Sequence, residues 1–253
     1  MSRVAPDRDA DFLRRWIVDA WQRTLMHHGF WFREVENRFD HETACQLEQQ
    51  VFDRSQPIQR SRYAEVLGLG GDDSHWPPLE SMDLETLNAL MDASAKNWLV
   101  NDGVWFQAME HHGTIEDAMR CNDGAWSFFA PYEAERVREL IALDPEIPVL
   151  EQLKTALDYR LYARINKQEI QDDGDDAFLF RMLECRVQIA RQRKGLTDYP
   201  CKSAGIIEFT GFAHAIHPEI ETSCIACPPD DHPRDWFCGW RFSTQVRPRG
   251  TKS

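Results

Sequence analysis

The chain has 253 residues, of which 42% are hydrophobic and 28% charged, enough to bury a substantial core in one large domain or two lobes. A formal net charge of −13 argues against nucleic acid, whose affinity comes from neutralising phosphates with Lys and Arg. No apolar run approaches the roughly 20 residues that span a bilayer, and Met1–Asp7 lacks the charged-then-apolar pattern of a signal peptide. Seven cysteines, an odd number, fit reduced thiols in a cytoplasm better than a disulfide framework.

In chain order, residues 8–28 carry Leu13, Trp16, Ile17 and Leu25 at helical spacing. The next stretch returns later. Gly29–Leu69 laid over Gly103–Leu143, an offset of 74, matches Gly29/Gly103, Trp31/Trp105, Phe32/Phe106, Glu36/Glu110 and Glu42/Glu116. It goes on through Ala44/Ala118, Pro57/Pro131, Arg62/Arg136, Glu65/Glu139 and Leu69/Leu143. Residues 8–69 and 83–143 therefore read as a tandem helical duplication. Each copy is expected to hold a long helix, a Gly-x-Trp-Phe turn into a short helix, then two more helices. Asp40 and Thr114 suit N-caps, and Pro57 and Pro131 suit the first turn of the last helix in each copy.

A further helix is predicted from Val149, with Leu150, Leu153, Leu157, Leu161 and Ile165 on one face. The acidic run Gln171–Asp176 reads as a lobe boundary. Beyond it, Ala177–Val187 alternates as a strand, Ser203–Ile216 reads as a helix, and Ile220–Ala226 and Trp236–Phe242 read as the strands of a broad hairpin. The expected fold is α+β. A duplicated helical lobe (residues 1–170) packs on a small cysteine-rich α/β lobe (171–246), and a flexible tail comes last (247–253).

Five cysteines fall in the last third of the chain. Cys224-x-x-Cys227 has the spacing of a two-thiolate clip, Cys238 returns across the hairpin, and Cys201 precedes a helix. Cys201, Cys224, Cys227 and Cys238 are the expected metal ligands, with Cys185 and Glu221 as alternatives. Sulfur donors select zinc or, as the other option, an iron–sulfur cluster; buried inert thiols are the plain alternative. Arg181, Arg186, Arg191 and Lys202 flank this segment and are expected to bind an anionic group. Glu208, His214, His217 and His232 are the candidates for a general base, and the sequence does not choose among them. Glu36 and Glu110, equivalent in the duplication, are read mainly as structural carboxylates.

The runs Cys185-Arg186-Val187-Gln188, Tyr199-Pro200-Cys201-Lys202, Cys224-Ile225-Ala226-Cys227-Pro228-Pro229 and Cys238-x-Trp240-x-Phe242 resemble a bacterial family of cytosolic proteins without an established function. More distantly, the C-terminal lobe resembles aminothiazoline-carboxylate hydrolases and vinyl-4-reductase-type sensor domains. In the sensors a cysteine before a helix, a Glu-x-x-Cys and a later cysteine hold zinc. Cys201, Glu221, Cys224 and Cys238 stand in that order here, with Cys227 as an extra thiol. The expectation is a metal-binding cytoplasmic protein that binds or hydrolyses a small anionic or sulfur-containing molecule. A sensor with structural zinc and an iron–sulfur redox protein are the alternatives. The partners expected are a small molecule and, as an open option, further copies of the chain.

Overall fold

The computed structural model describes residues 39–67, 82–193, 195 and 197–244, together with 25, 28, 29, 32, 33, 36 and 37. The predicted helix over 8–28, the linker around 70–78 and the tail lie outside these residues, apart from positions 25 and 28. Two compact units divide at Ser81/Met82.

Within the first unit, α1 (His41–Leu67) starts where expected, with the Thr43 amide donating to Asp40 Oδ1 at 2.7 Å. Pro57 lies inside this helix rather than at the start of another. Glu36 pairs with His41 at 2.7 Å, a structural role for that carboxylate.

The second unit opens with two long helices, α2 (Leu84–His112) and α3 (Ile115–Leu140). Asp83 caps α2, and Thr114 with Asp117 forms a reciprocal capping box on α3. Gly103-x-Trp105-Phe106, predicted as a turn, continues α2 without a break, and Pro131 lies in the interior of α3. Packing overrides both local signals. Trp126, Ala130, Glu133, Ala134 and Val137 form a buried stripe on α3, and a break at Pro131 would dismantle it. The proline ring itself packs where Gly211 of a later helix leaves room. Trp98 of α2 stacks on Phe129 with ring centroids 5.8 Å apart and meets Tyr162 edge-on at 4.9 Å, fastening the two helices to the chain around residue 162.

Helix α4 (Val149–Asp158) is shorter than predicted. A single 3-10 turn (Leu161–Arg164) comes next, and then an unpredicted strand, β1 (Lys167–Asp172). Only Ile170 of that strand packs on the core, so an alternation signal was almost absent. The acidic run predicted as a lobe boundary is the turn of the β1–β2 hairpin. There Gly174 adopts φ +83° and the Asp173 amide bonds the Ala177 carbonyl at 2.9 Å.

The remaining elements are β2 (Ala177–Glu184), α5 (Arg186–Arg193), α6 (Lys202–Ile216), β3 (Glu221–Ala226) and β4 (Cys238–Ser243). The four strands form an antiparallel sheet in the order β1-β2-β4-β3. Cross-strand pairs Phe178/Phe242, Phe180/Trp240 and Met182/Cys238 line its inner face, as the alternation in both segments requires. Helix α6 lies on that face through Phe209, Phe212, Ala213 and Ile216, and α4 adds Leu153 and Leu157. The fold is thus α+β, with helices layered on one antiparallel sheet.

Gly205 of α6 comes closest to the sheet. A Cβ there would lie 2.7 Å from Cζ2 of the fully buried Trp240 ring, whereas one at Gly211 would meet Ala130 at an ordinary 3.5 Å. Helix propensity favours alanine at both positions by up to about 1 kcal/mol. Gly211→Ala is therefore expected to hold or raise stability. Gly205→Ala should lose about 1–3 kcal/mol to overpacking. Chemical denaturation of the two variants side by side checks the contrast.

Candidate functional site

Between α2, α3, α5, α6 and the inner face of β4 lies a cavity of about 640 Å³, formed wholly within the second unit. Its walls are aromatic: Phe106 from α2, Trp126 from α3, Tyr162 from the 3-10 turn, Tyr199, Phe209 from α6 and Trp240 from β4. Phe106 meets Tyr199 edge-on at 5.0 Å, and Trp126 stacks on Tyr162 at 5.9 Å. Trp240 is fully buried, yet its Nε1 has no hydrogen-bond partner among the described residues. A buried indole N–H normally has one.

The thiols gather along one wall. Cys201 stands at the N-terminus of α6, and its sulfur lies 3.6 Å from that of Cys227. The Cys227 thiol sits between Cys201 and Cys238 in hydrogen-bonding contact with both, and all three line the cavity together with Cys185. Two devices position Cys201. The buried Gln188 amide accepts from the Tyr199 N–H at 2.8 Å, and its Nε2 donates to the Tyr199 carbonyl at 2.9 Å and to Cys201 Sγ at 3.5 Å. On the other side, the Lys202 amide bonds the Pro228 carbonyl at 3.0 Å, while Asp230 pairs with Lys202 and accepts from the Cys227 amide at 3.3 Å.

These contacts separate the sulfurs electrostatically. Donation from the Cys227 thiol holds Cys201 below the ordinary thiol range, with Gln188 helping against burial. The same hydrogen bonds, to Cys201 and then Cys238, together with burial, hold Cys227 protonated far above it. Burial pushes Cys185 up to about 12 and also raises Cys224.

The predicted ligand set is only partly assembled. Cys224 does not line the cavity, and Cys185, one residue past the end of β2, does. Cys224 belongs to strand β3, and Cys227 lies just beyond it, past a register shift between Cys224 and Ala226. Glu221 starts β3, about 20 Å of extended chain from Cys227 at roughly 3.3 Å per residue. Tetrahedral zinc with sulfur at about 2.3 Å needs neighbouring sulfurs about 3.8 Å apart, which the Cys201–Cys227 separation approaches. Among the described residues, however, no three His, Cys, Asp or Glu side chains form a group that could hold a metal ion. The thiols as arranged are a hydrogen-bonded cluster rather than a closed four-ligand cage.

The predicted cations also divide. Arg186 and Arg191 line the cavity, joined by Lys96 of α2, and Arg191 Nε donates to the Thr197 carbonyl at 2.8 Å. Arg181 does not reach it and binds Glu169 and Gln171 of β1 across the sheet; Lys202 is held by Asp230. Of the base candidates, only Glu208 lines the cavity. His214 is exposed, His217 accepts from the Glu219 amide, and His232 lies 3.5 Å from Asp198.

Glu208 belongs to a cluster that sequence reasoning missed. Arg160, 2% exposed, donates from Nε to Glu133 Oε2 at 2.8 Å and from Nη2 to Glu208 Oε1 at 2.7 Å. Its guanidinium also lies 4.7 Å from the centroid of the Phe212 ring. One cation thus serves two buried carboxylates. Burial pushes Glu208 up to about 7, against the pull of Arg160. The signal was present: Glu208 is the sole acidic residue of a largely apolar helix segment, Ser203–Ile216.

No helix among the described residues is long and apolar enough to cross a membrane. Neither a curated protein nor a solved structure matches the chain, so the resemblance to aminothiazoline-carboxylate hydrolases and vinyl-4-reductase-type domains finds no support there. The sequence model of a protein family does match, over residues 80–244, the same stretch that builds the helical layer, the sheet and the cavity, and the chain belongs to that family, described as a family of unknown function (DUF6125).

Proposed function

We propose that residues 82–244 form a small-molecule-binding module whose ligand occupies the aromatic cavity with an anionic group at Arg186 and Arg191. One observation carries the reading. A cavity of about 640 Å³, in the size range of small-molecule sites, is walled by aromatic side chains and has two guanidinium groups among its lining residues. Aromatic faces supply apolar contact area, and the Arg pair supplies charge.

A small dicarboxylate thioether such as 3,3′-thiodipropionate is a suitable probe. Its binding is expected to quench tryptophan fluorescence. Replacing both Arg186 and Arg191 by alanine should weaken it by about tenfold or more, the value of one to two charge-assisted hydrogen bonds. Unchanged affinity in the double variant, confirmed by calorimetry, would sink the assignment of the anion site.

A second reading, hydrolysis with Glu208 as general base, is favoured by that residue's place in the cavity wall and its pKa of about 7. The sign of its linkage comes from the raised value. Unfolded chains ionise Glu208 near the ordinary 4.5, whereas the folded chain resists ionisation until about 7. Its contribution to stability is therefore fully present below 4.5, falls as pH rises through this window and stays lost above it. Glu208→Gln, which keeps one acceptor for Arg160, should flatten the pH dependence of denaturation between about 4.5 and 7. A wild-type profile already flat across this window would show that Glu208 ionises normally and would remove the basis for the hydrolytic reading.

A further inference from the structure

We propose that Cys201 and Cys227 are a reversible dithiol that reduces a small disulfide admitted to the cavity. The proposal rests on the binding of small molecules in that cavity and names the chemistry that its thiol wall performs. Three observations support it. The two sulfurs are already 3.6 Å apart, in contact and facing the same cavity. The main chains beside them are tied together by the Lys202 amide on the Pro228 carbonyl at 3.0 Å, which holds the two cysteines next to each other. The two thiols also differ in access. Cys201 is half-buried at the N-terminus of the fifteen-residue α6, with Gln188 donating to its sulfur, whereas Cys227 is 1% exposed behind it.

That asymmetry assigns the steps. The Cys201 thiolate attacks one sulfur of a disulfide RSSR, forming a mixed disulfide and releasing RS⁻, which takes up a proton. Cys227 then loses its proton and attacks the Cys201 sulfur, closing the intramolecular disulfide and releasing the second RSH. The sum is two protein thiols and RSSR giving one protein disulfide and two RSH, with two electrons passed to the small molecule. Cys224 does not line the cavity, and the 3.6 Å sulfur contact at this wall joins Cys201 to Cys227. Arg186 and Arg191 would favour an anionic disulfide over a neutral one.

The test uses the full-length reduced protein, treated without oxygen with 3,3′-dithiodipropionate or with neutral hydroxyethyl disulfide. Intact mass is expected to fall by two hydrogens with two equivalents of thiol released per chain, and peptide mapping should join Cys201 to Cys227. Cys227→Ser should stop at a mixed disulfide on Cys201 with one equivalent released. Cys201→Ser, with an unchanged circular dichroism spectrum, should react at Cys227 at least about tenfold more slowly, since the accessible thiolate is gone. Cys45→Ser and Cys121→Ser should leave the cross-link intact. A Cys227–Cys238 bridge, a first adduct on Cys185 or Cys224, or thiols that react only after a stoichiometric zinc or iron is stripped would each overturn the proposal. Binding of the unreactive thioether without reaction of either disulfide would overturn the dithiol and leave the pocket standing. Reaction of the neutral disulfide without thioether binding would support the dithiol and overturn the anion site alone.

Discussion

Arg160 spends its two hydrogen-bonding edges on Glu133 of α3 and Glu208 of α6 and stacks its flat face near Phe212. Those partners lie 27 residues before it and 48 after it. Removing one member of such a buried group leaves an unpaired charge at a cost of about 3–5 kcal/mol, so the three side chains hold or fail together. The cluster ties α6 to α3 through the chain at Arg160. On α6 itself, Gly205 lies against Trp240 and the Lys202 amide beside Cys201 bonds the Pro228 carbonyl after β3. The cavity is the space this arrangement leaves between α6 and the long helices.

The cavity wall is chemically graded. Arg186 is exposed and Cys201 half-buried, whereas Glu208, Trp240, Cys227 and Cys238 are buried. Two groups there have their proton affinities moved in opposite directions. Glu208 is raised by burial against an ion pair, and Cys201 is lowered by donated hydrogen bonds despite burial. Both lie on the face of α6 defined by positions 201, 205 and 208, one helical stripe with a glycine between them for the indole.

Much of the C-terminal part was legible because its signals are local. Phe178, Phe180 and Met182 alternate with period two, and so do Cys238, Trp240 and Phe242; strands with one buried face must do so. The apolar run 203–216 had to be a buried helix. The polar strand β1 left no such trace, since it offers the core only Ile170. The long helices misled in the other direction. Gly103 and Pro131 are local breakers, yet α2 and α3 run through them because Phe106 on one and the Trp126–Val137 stripe on the other are needed against α6 and Tyr199.

The candidate site divides in the same way. Cys201, Cys227 and Cys238 could be grouped from the chain because each sits next to an element of clear pattern: a helix start, a strand end and a buried strand face. Cys224 could not be separated from Cys227, because spacing alone does not say whether Cys-x-x-Cys is a turn or a strand running out; β3 made it the latter. What the sequence by itself determined is the antiparallel sheet segments, the buried helix α6 and the concentration of thiols near its start, all properties of neighbours along the chain. Only the tertiary structure decided which cations reach the cavity, that Glu208 is the carboxylate in its wall, and that Arg160 joins it to Glu133. Those depend on side chains tens of residues apart sharing one desolvated space, where the cost of an unpaired charge, rather than any local preference, selects the partner.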